Sequence, residues 1–225
     1  MKRLLRTWSP ECWSPAYFKN RIRANWYVRT HPGWPWLTPD ANRFLDQWLT
    51  GQERILEFGC GGSTLFFARR AEHVTGVETS APWKNRVEKR LAGQGLEHRA
   101  DIRPQDPEGA LHDFKNGSFD GVLVDGGDRL AAAEGALSWL KPGGILIVDN
   151  INRYVPNTSP GPGSLRTWDA ESNEHQRWRS WCTAVREWPH HWSSNGVTDT
   201  LLLQKPRGGA ETPDGWRTVD LSARD

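Results

Sequence analysis

The residues best placed to do chemistry lie between positions 55 and 63. There an apolar run containing Glu57 and Phe58 leads into Gly59-Cys60-Gly61-Gly62 and then Ser63. A strand, a glycine-rich turn and a helix start, in that order, free backbone amides and let a ligand approach the main chain closely. Such a turn suits a nucleotide, and two spacings compete for it. A dinucleotide fingerprint needs G-x-G-x-x-G with an acid about 20 residues on. Gly59 and Gly61 fit it, but Thr64 stands where the third glycine belongs. The other pattern is E-x-G-x-G with an acid closing the second strand. Glu57 is the first acid, and Glu78, 19 residues after Gly59, is the second. In a doubly wound sheet both sites fall at the carboxyl ends of adjacent strands, where a carboxylate can accept hydrogen bonds from both ribose hydroxyls.

A second constellation lies further along. Asp125 ends one apolar strand, and Asp149-Asn150 end another. If those strands are neighbours, their ends are about 5 Å apart. Two carboxylates and an amide oxygen would then face one point, a set of hard ligands suited to Mg²⁺ or Ca²⁺. The same Asp149-Asn150 pair also suits a plain strand end and turn. Asp128 could add a ligand or act as a base, with Arg129 beside it as a neutralising charge. His190 and His191 are conceivable bases, but they alternate faces on a strand, so at most one points into a site. The Cys60 side chain reads as a small filler, since nothing nearby marks a reactive thiolate. Ser63 serves equally as a helix N-cap, and Thr38 reads as a cap.

The elements that must position these groups follow from periodicity. Thr38-Pro39 opens a helix with apolar residues at Ala41, Phe44, Leu45, Trp48 and Leu49, one face of a 3.6-residue repeat. Strands then alternate with helices: strands at 54–58, 73–77, 96–102, 119–124 and 145–148, helices at 63–71, 81–92, 107–115 and 130–140. Five strands separated by helices imply a parallel sheet with right-handed crossovers. Residues 121–124 and 145–148 are apolar throughout, as strands covered on both faces should be. Residues 152–170 are rich in Pro and Gly and read as a loop or lid. A helix over 171–187 and two strands, 190–194 and 198–204, joined at Asn195-Gly196, complete the pattern. Residues 1–37 are rich in Trp, Pro and Arg with little clear periodicity, and the polar tail after Pro206 reads as frayed.

Composition bounds the partners. With 29 Lys+Arg against 27 Asp+Glu the net charge is +2, which excludes a strongly basic nucleic-acid coat and an acidic tail. No stretch of about 18 apolar residues is available to span a bilayer. The basic start lacks an apolar signal core and reads as mature protein. Cys12, Cys60 and Cys182 have no repeated spacing, so neither a disulfide framework nor a zinc pattern is present, and a reducing cytoplasm is the simplest home. Fourteen tryptophans are too many to leave unexplained. Trp34, Trp36 and Trp168 could wall an aromatic pocket or stack on a base, and most of the rest read as core.

Taken together, Glu57-Phe58-Gly59-Cys60-Gly61-Gly62-Ser63, Val77-Glu78, Phe119-Asp120-Gly121-Val122-Leu123-Val124-Asp125 and Leu140-Lys141-Pro142-Gly143-Gly144 resemble the class I S-adenosylmethionine-dependent methyltransferases over about residues 38–205. The resemblance implies an α/β, Rossmann-like, doubly wound sheet of seven mostly parallel strands with an antiparallel C-terminal hairpin strand. It divides the chain into a Trp/Pro-rich N-terminal extension or lid (1–37), the cofactor-binding domain (38–205) and a tail (206–225). It implies that the turn Gly59, Cys60, Gly61 and Ser63, with Glu57, wraps the methionine portion of S-adenosylmethionine. Glu78 then holds the ribose, Asp125 lies beside the reacting methyl, and Asp106 or Gln105 meets the adenine. Asp125, Asp149 and Asn150 are also similar to the metal ligands of the catechol-type, cation-dependent O-methyltransferases. Where that group carries a lysine base, Asp128 stands here. The expected activity is methyl transfer to a small-molecule acceptor at oxygen, with Asp125 and Asp128 as candidate catalytic residues and Mg²⁺ or another divalent ion as candidate metal. RNA or protein methylation, a catalytically silent cofactor-binding partner module and a nicotinamide oxidoreductase are the alternatives. Thr64 counts against the last, and a homodimer stays open.

Overall fold

The apolar strands assemble into one seven-stranded sheet in the computed structural model, which describes residues 14–110, 112–207, 213–218 and 221–223. The strands are β1 (Arg54–Phe58), β2 (His73–Val77), β3 (Ala100–Arg103), β4 (Phe119–Val124), β5 (Leu140–Asp149), β6 (His190–Ser194) and β7 (Asp199–Gln204). Their order is β3-β2-β1-β4-β5-β7-β6. β7 pairs antiparallel with both β5 and β6, so it alone runs against the others. Chain order reverses between β1 and β4, and the crevice at that switch point is where open α/β sheets take ligands.

The helices are α1 (Pro15–Thr30), α2 (Pro39–Trp48), α3 (Gly62–Arg70), α4 (Ala81–Ala92), the one-turn α5 (Pro107–Ala110), α6 (Arg129–Trp139) and α7 (Asn173–Ala184). Strand side chains alternate between two covered faces. Leu56, Phe58, Val122 and Val148 pack with Trp139 of α6 and Trp178 of α7. Ile55, Val74, Leu123 and Ile147 pack with α2, α3 and α4. A Cβ on Gly135 would lie 2.1 Å from the Trp139 ring. Glycine there lets the indole fold back along α6 and stack on Phe58 at 5.6 Å, beneath the turn that follows β1.

Several expectations shift. The aperiodic N-terminal stretch contains α1, with Ser14 accepting from Tyr17 N at 3.1 Å and Pro15 in the first turn. None of its residues is buried, which is why no apolar stripe marks it. Trp8, Cys12 and Trp13 lie outside the described residues. The strand read at 96–102 is a 3₁₀ turn, Glu97–Arg99, followed by β3. Of the helix read at 107–115, Pro107–Ala110 is helical and Leu111 lies outside the described residues. β5 begins directly after α6, bending through Gly143 at φ +84 before its apolar half. Helix 171–187 shortens to α7, capped by Ser172. The Pro/Gly-rich 152–170 segment is pinned: Leu165 N donates to Asn152 O at 2.7 Å, and Asn157 Nδ2 donates to Val155 O at 2.7 Å. The described parts of the tail dock rather than fray. Trp216 packs on Phe44 at 5.0 Å, Arg217 bridges His190, and Leu221 is buried. Among the described residues no helix is long and apolar enough to cross a membrane.

Candidate functional site

β1 hands the chain to Gly59, which adopts φ +92 and donates its N–H to Val77 O at 3.0 Å. A Cβ on Gly59 would fall 2.7 Å from the Gly126 Cα, in the loop after β4. Asp125 N also donates to Phe58 O at 2.9 Å. The two loops therefore touch main chain to main chain, which only glycines allow. At Gly61 an added Cβ would meet nothing within 4 Å, so the turn is open on that side.

Thr64, which broke the dinucleotide pattern, ties this turn together. Its hydroxyl accepts from Gly61 N at 2.8 Å and donates to Glu57 Oε2 at 2.6 Å, while Ser63 Oγ donates to Glu57 Oε1. Glu57 is fully buried, and burial pushes its carboxyl up to about 8 against the pull of the two hydroxyls. Trp83 Nε1 donates to Cys60 O at 2.6 Å and clamps the turn from α4. The Cys60 sulfur fills the space over Gly76, where a Cβ would lie 2.5 Å from it, and burial pushes the thiol up, so it stays protonated.

A cleft of about 80 Å³ opens beside the turn, lined by Gly59, Glu78, Thr79, Gln105, Pro107 and Gly126 among others. Glu78 Oε1 accepts from Ser80 N at 2.8 Å, which fixes the carboxylate at the mouth. Gln105 lines the cleft. Asp106 instead caps α5, accepting from Gly109 N at 2.6 Å. Main chain at Gly59, the anchored Glu78 and the Gln105 amide line one cleft, a set that suits the sugar and base of an adenosine.

The second constellation also converges. Asp125 and Asp149 end adjacent parallel strands. Asp149 Oδ1 accepts from Thr200 Oγ1 at 3.0 Å, and its Oδ2 accepts from Asn150 Nδ2. Asn150 sits in the left-handed region at φ 59 and also donates to Thr198 Oγ1 at 2.6 Å. Arg129 reaches into the group. Its Nη2 donates to Asp125 O at 2.7 Å, Asp125 Oδ1 at 3.1 Å and Asn150 Oδ1 at 3.4 Å. Burial pushes Asp149 well up, and repulsion from Asp125 adds to it. Asp125 is raised by burial despite the opposing guanidinium.

The oxygens a divalent ion would need at Asp125 and Asn150 are thus turned to a guanidinium, and a second cation beside it would be repelled. The set does not fit a metal. Among the described residues no other cluster of three His, Cys, Asp or Glu does. Asp128 takes a different part: its Oδ1 accepts from Leu130 N at 3.0 Å and Ala131 N at 3.1 Å, capping α6. Arg129 pairs with Asp125 rather than with Asp128. His190 and His191 pair with Leu203 and Leu202, toward the far end of β7 from Thr200, and His191 stacks on Trp216 at 6.5 Å. Neither reaches the carboxyl edge.

A larger groove of about 1050 Å³ runs between α1 and the β6–β7 turn, lined by Arg21, Trp26, Tyr27, Trp36, Asn195 and Thr198 among others. Thr198 thus belongs both to this groove and to the polar cluster. Trp36 is 74% exposed, whereas Trp34 packs on Phe66 and Trp168 on the core beside α7. Sequence reasoning missed α1, Trp83, Thr198 and Thr200. The Ser14-Pro15 cap signal could have found α1, but no local signal pairs Asn150 with Thr198.

Residues 56–151 match the model of a family described as a methyltransferase domain. A protein from Klebsiella pneumoniae, assigned provisionally as an O-methyltransferase, superimposes with TM-score 0.61 at 20% identity over 92% of this chain and 96% of that one. A SAM-dependent O-methyltransferase from Thermotoga maritima gives TM-score 0.51 at 16% identity over 78% and 68%. An rRNA methylase from Streptococcus thermophilus gives 0.56 at 17% over 75% and 95%. At these identities the likeness is one of fold. No curated protein sequence matches the chain.

Proposed function

We propose that this chain, an enzyme built on a class I S-adenosylmethionine-dependent methyltransferase domain, transfers a methyl group to an oxygen of a small-molecule acceptor. One observation carries the reading. The loop after β4 forms a wall of both sites: Gly126 closes the glycine cleft, and Asp125 anchors the polar cluster. A donor in the first and an acceptor at the second would meet at Asp125. The groove under α1 is of a size for a small molecule, and aromatic walls suit an apolar or aromatic one.

S-adenosylmethionine, when bound, supplies an electrophilic sulfonium methyl. The glycine turn after β1, open at Gly61, receives its amino-acid end, Glu78 takes the ribose hydroxyls, and Gln105 faces the base, a better placed group than Asp106. Asp125 accepts the proton of the acceptor hydroxyl, a role that its half-buried, raised carboxyl suits. Asp128 holds α6 in place and takes no proton. The protein otherwise supplies position.

A second reading, transfer to RNA, is favoured by exposed Trp26 and Trp36 beside Arg21 and Arg23 on the same groove. Calorimetry with S-adenosylmethionine and with NAD tests the cofactor. Heat with NAD alone would defeat the reading. Release of S-adenosylhomocysteine is then followed over phenols, hydroxy acids and short RNAs, and turnover on RNA alone would replace the small-molecule assignment.

A further inference from the structure

We propose that Arg129 stands in for a divalent cation, its guanidinium receiving the acceptor's oxygen as an oxyanion, so that transfer needs no metal; the proposal rests on the methyl-transfer reading above. Arg129 sits at the first position of α6, in a side chain only 17% exposed, among the oxygens that would otherwise ligate an ion. Its unused donors point to a ligand. Guanidinium carries five N–H bonds. All three protein contacts fall on Nη2, whereas Nε is buried with no partner and Nη1 donates to nothing among the described residues. A buried donor left unmet is uncommon in a native protein and calls for a partner.

The group is also held rigidly. The Asp128 cap fixes the start of α6, and the guanidinium carbon lies 6.0 Å from the centre of the Tyr154 ring. A planar fork held this way suits oxyanions, and it neutralises charge without reorganising. The step balances as follows. The acceptor O–H gives its proton to Asp125, and the oxyanion forms against Arg129. Oxygen then bonds the methyl carbon as the carbon–sulfur bond breaks, its electron pair staying on sulfur. An acceptor already ionised, such as a carboxylate, skips the first step. The acceptors implied are acidic hydroxyl compounds, phenols or enols, and carboxylic acids.

The test uses the chain saturated with S-adenosylhomocysteine and three probes: Mn²⁺, 4-nitrophenol and benzoate. Wild type is expected to leave the Mn²⁺ resonance unbroadened at millimolar ion and to bind 4-nitrophenol as the yellow phenolate. Arg129→Met should weaken that binding about tenfold or more, and Arg129→Lys should restore part of it. Displacement by benzoate marks a carboxylate acceptor, and failure of benzoate to displace marks a phenolic one. Stoichiometric Mn²⁺ binding by wild type overturns the proposal. So does nitrophenol affinity that is equal, or absent, in wild type and Arg129→Met. Retained S-adenosylhomocysteine affinity certifies the fold of each variant, and where Arg129→Met lacks it, the wild-type to Arg129→Lys ratio decides. Failure of wild type to bind S-adenosylhomocysteine instead defeats the methyl-transfer reading itself.

Discussion

At the β1–β2–β4 end of the sheet the ligand-facing surface is largely main chain, two glycine loops back to back with an acid at the rim. At the β4–β5–β7 end it is side chains: Asp125, Arg129, Asp149, Asn150, Thr198 and Thr200 in one bonded network. The first surface depends on the absence of a Cβ and is indifferent to most charges. The second depends on which charge pairs with which. A substitution can therefore disable the glycine cleft without touching the polar network, or the reverse, although both share the loop after β4.

The largest expected effect separates the buried acid of the first region from everything else. Glu57 in the folded protein holds its proton to about 8, whereas an unperturbed glutamate releases it near 4.5. Between those values the folded state carries more protons than the unfolded one. Stability is thus greatest below the window and declines as pH rises through it, by about 1.4 kcal/mol per pH unit at the steepest. Urea denaturation from pH 5 to pH 8 should show that decline in wild type and a shallower one in Glu57→Gln, the remainder coming from Asp125 and Asp149. Parallel curves for the two proteins would mean that Glu57 is ionised in the fold.

Next comes the main chain. Gly59→Ala drives a methyl into Gly126 and strains a positive φ, so S-adenosylmethionine affinity should fall about a hundredfold by calorimetry. An alanine variant binding as wild type would show that the two loops need not touch. Glu78→Ala should weaken the cofactor about tenfold with little change in melting temperature, and unchanged affinity would take the ribose from Glu78. The smallest effect belongs to the second region. Thr200→Val removes the hydroxyl donor of Asp149 and should cost about 1 kcal/mol of stability while leaving cofactor affinity alone. A weakened cofactor in that variant would mean that the two regions are not separable.

The same division explains what could be read from residues alone. The glycine cleft was legible because glycine and an acid at fixed spacing mark it locally, and strands β1, β2, β4 and β7 fall close to where periodicity places them. Thr64 was read only as a missing glycine, although it bridges Gly61 and Glu57. The polar network was legible in its members, Asp125, Asp149 and Asn150, but not in how they are bonded. Arg129 lies next to Asp128 in sequence, yet a capping bond claims Asp128 and leaves the guanidinium to Asp125. Thr198 and Thr200 arrive from some fifty residues away through the antiparallel return of β7, which no local pattern encodes. Helix α1 escaped because burial writes apolar periodicity, and nothing in α1 is buried.

The bond between Asn150 and Thr198 has one more consequence. The chain departs from the rim of β5 at one residue and comes back to it at the other, so everything between begins and ends at a single riveted point. Between them lie the Pro/Gly-rich stretch, α7 and β6, and Ser159 Oγ, donating to Asp199 Oδ1 at 2.9 Å, ties the stretch back to the same rim. A graft limited to residues 160–171 would keep Tyr154 beside Arg129 and Val155 in the core and leave the sheet's register unaltered, so the groove could be reshaped here without rebuilding the glycine cleft.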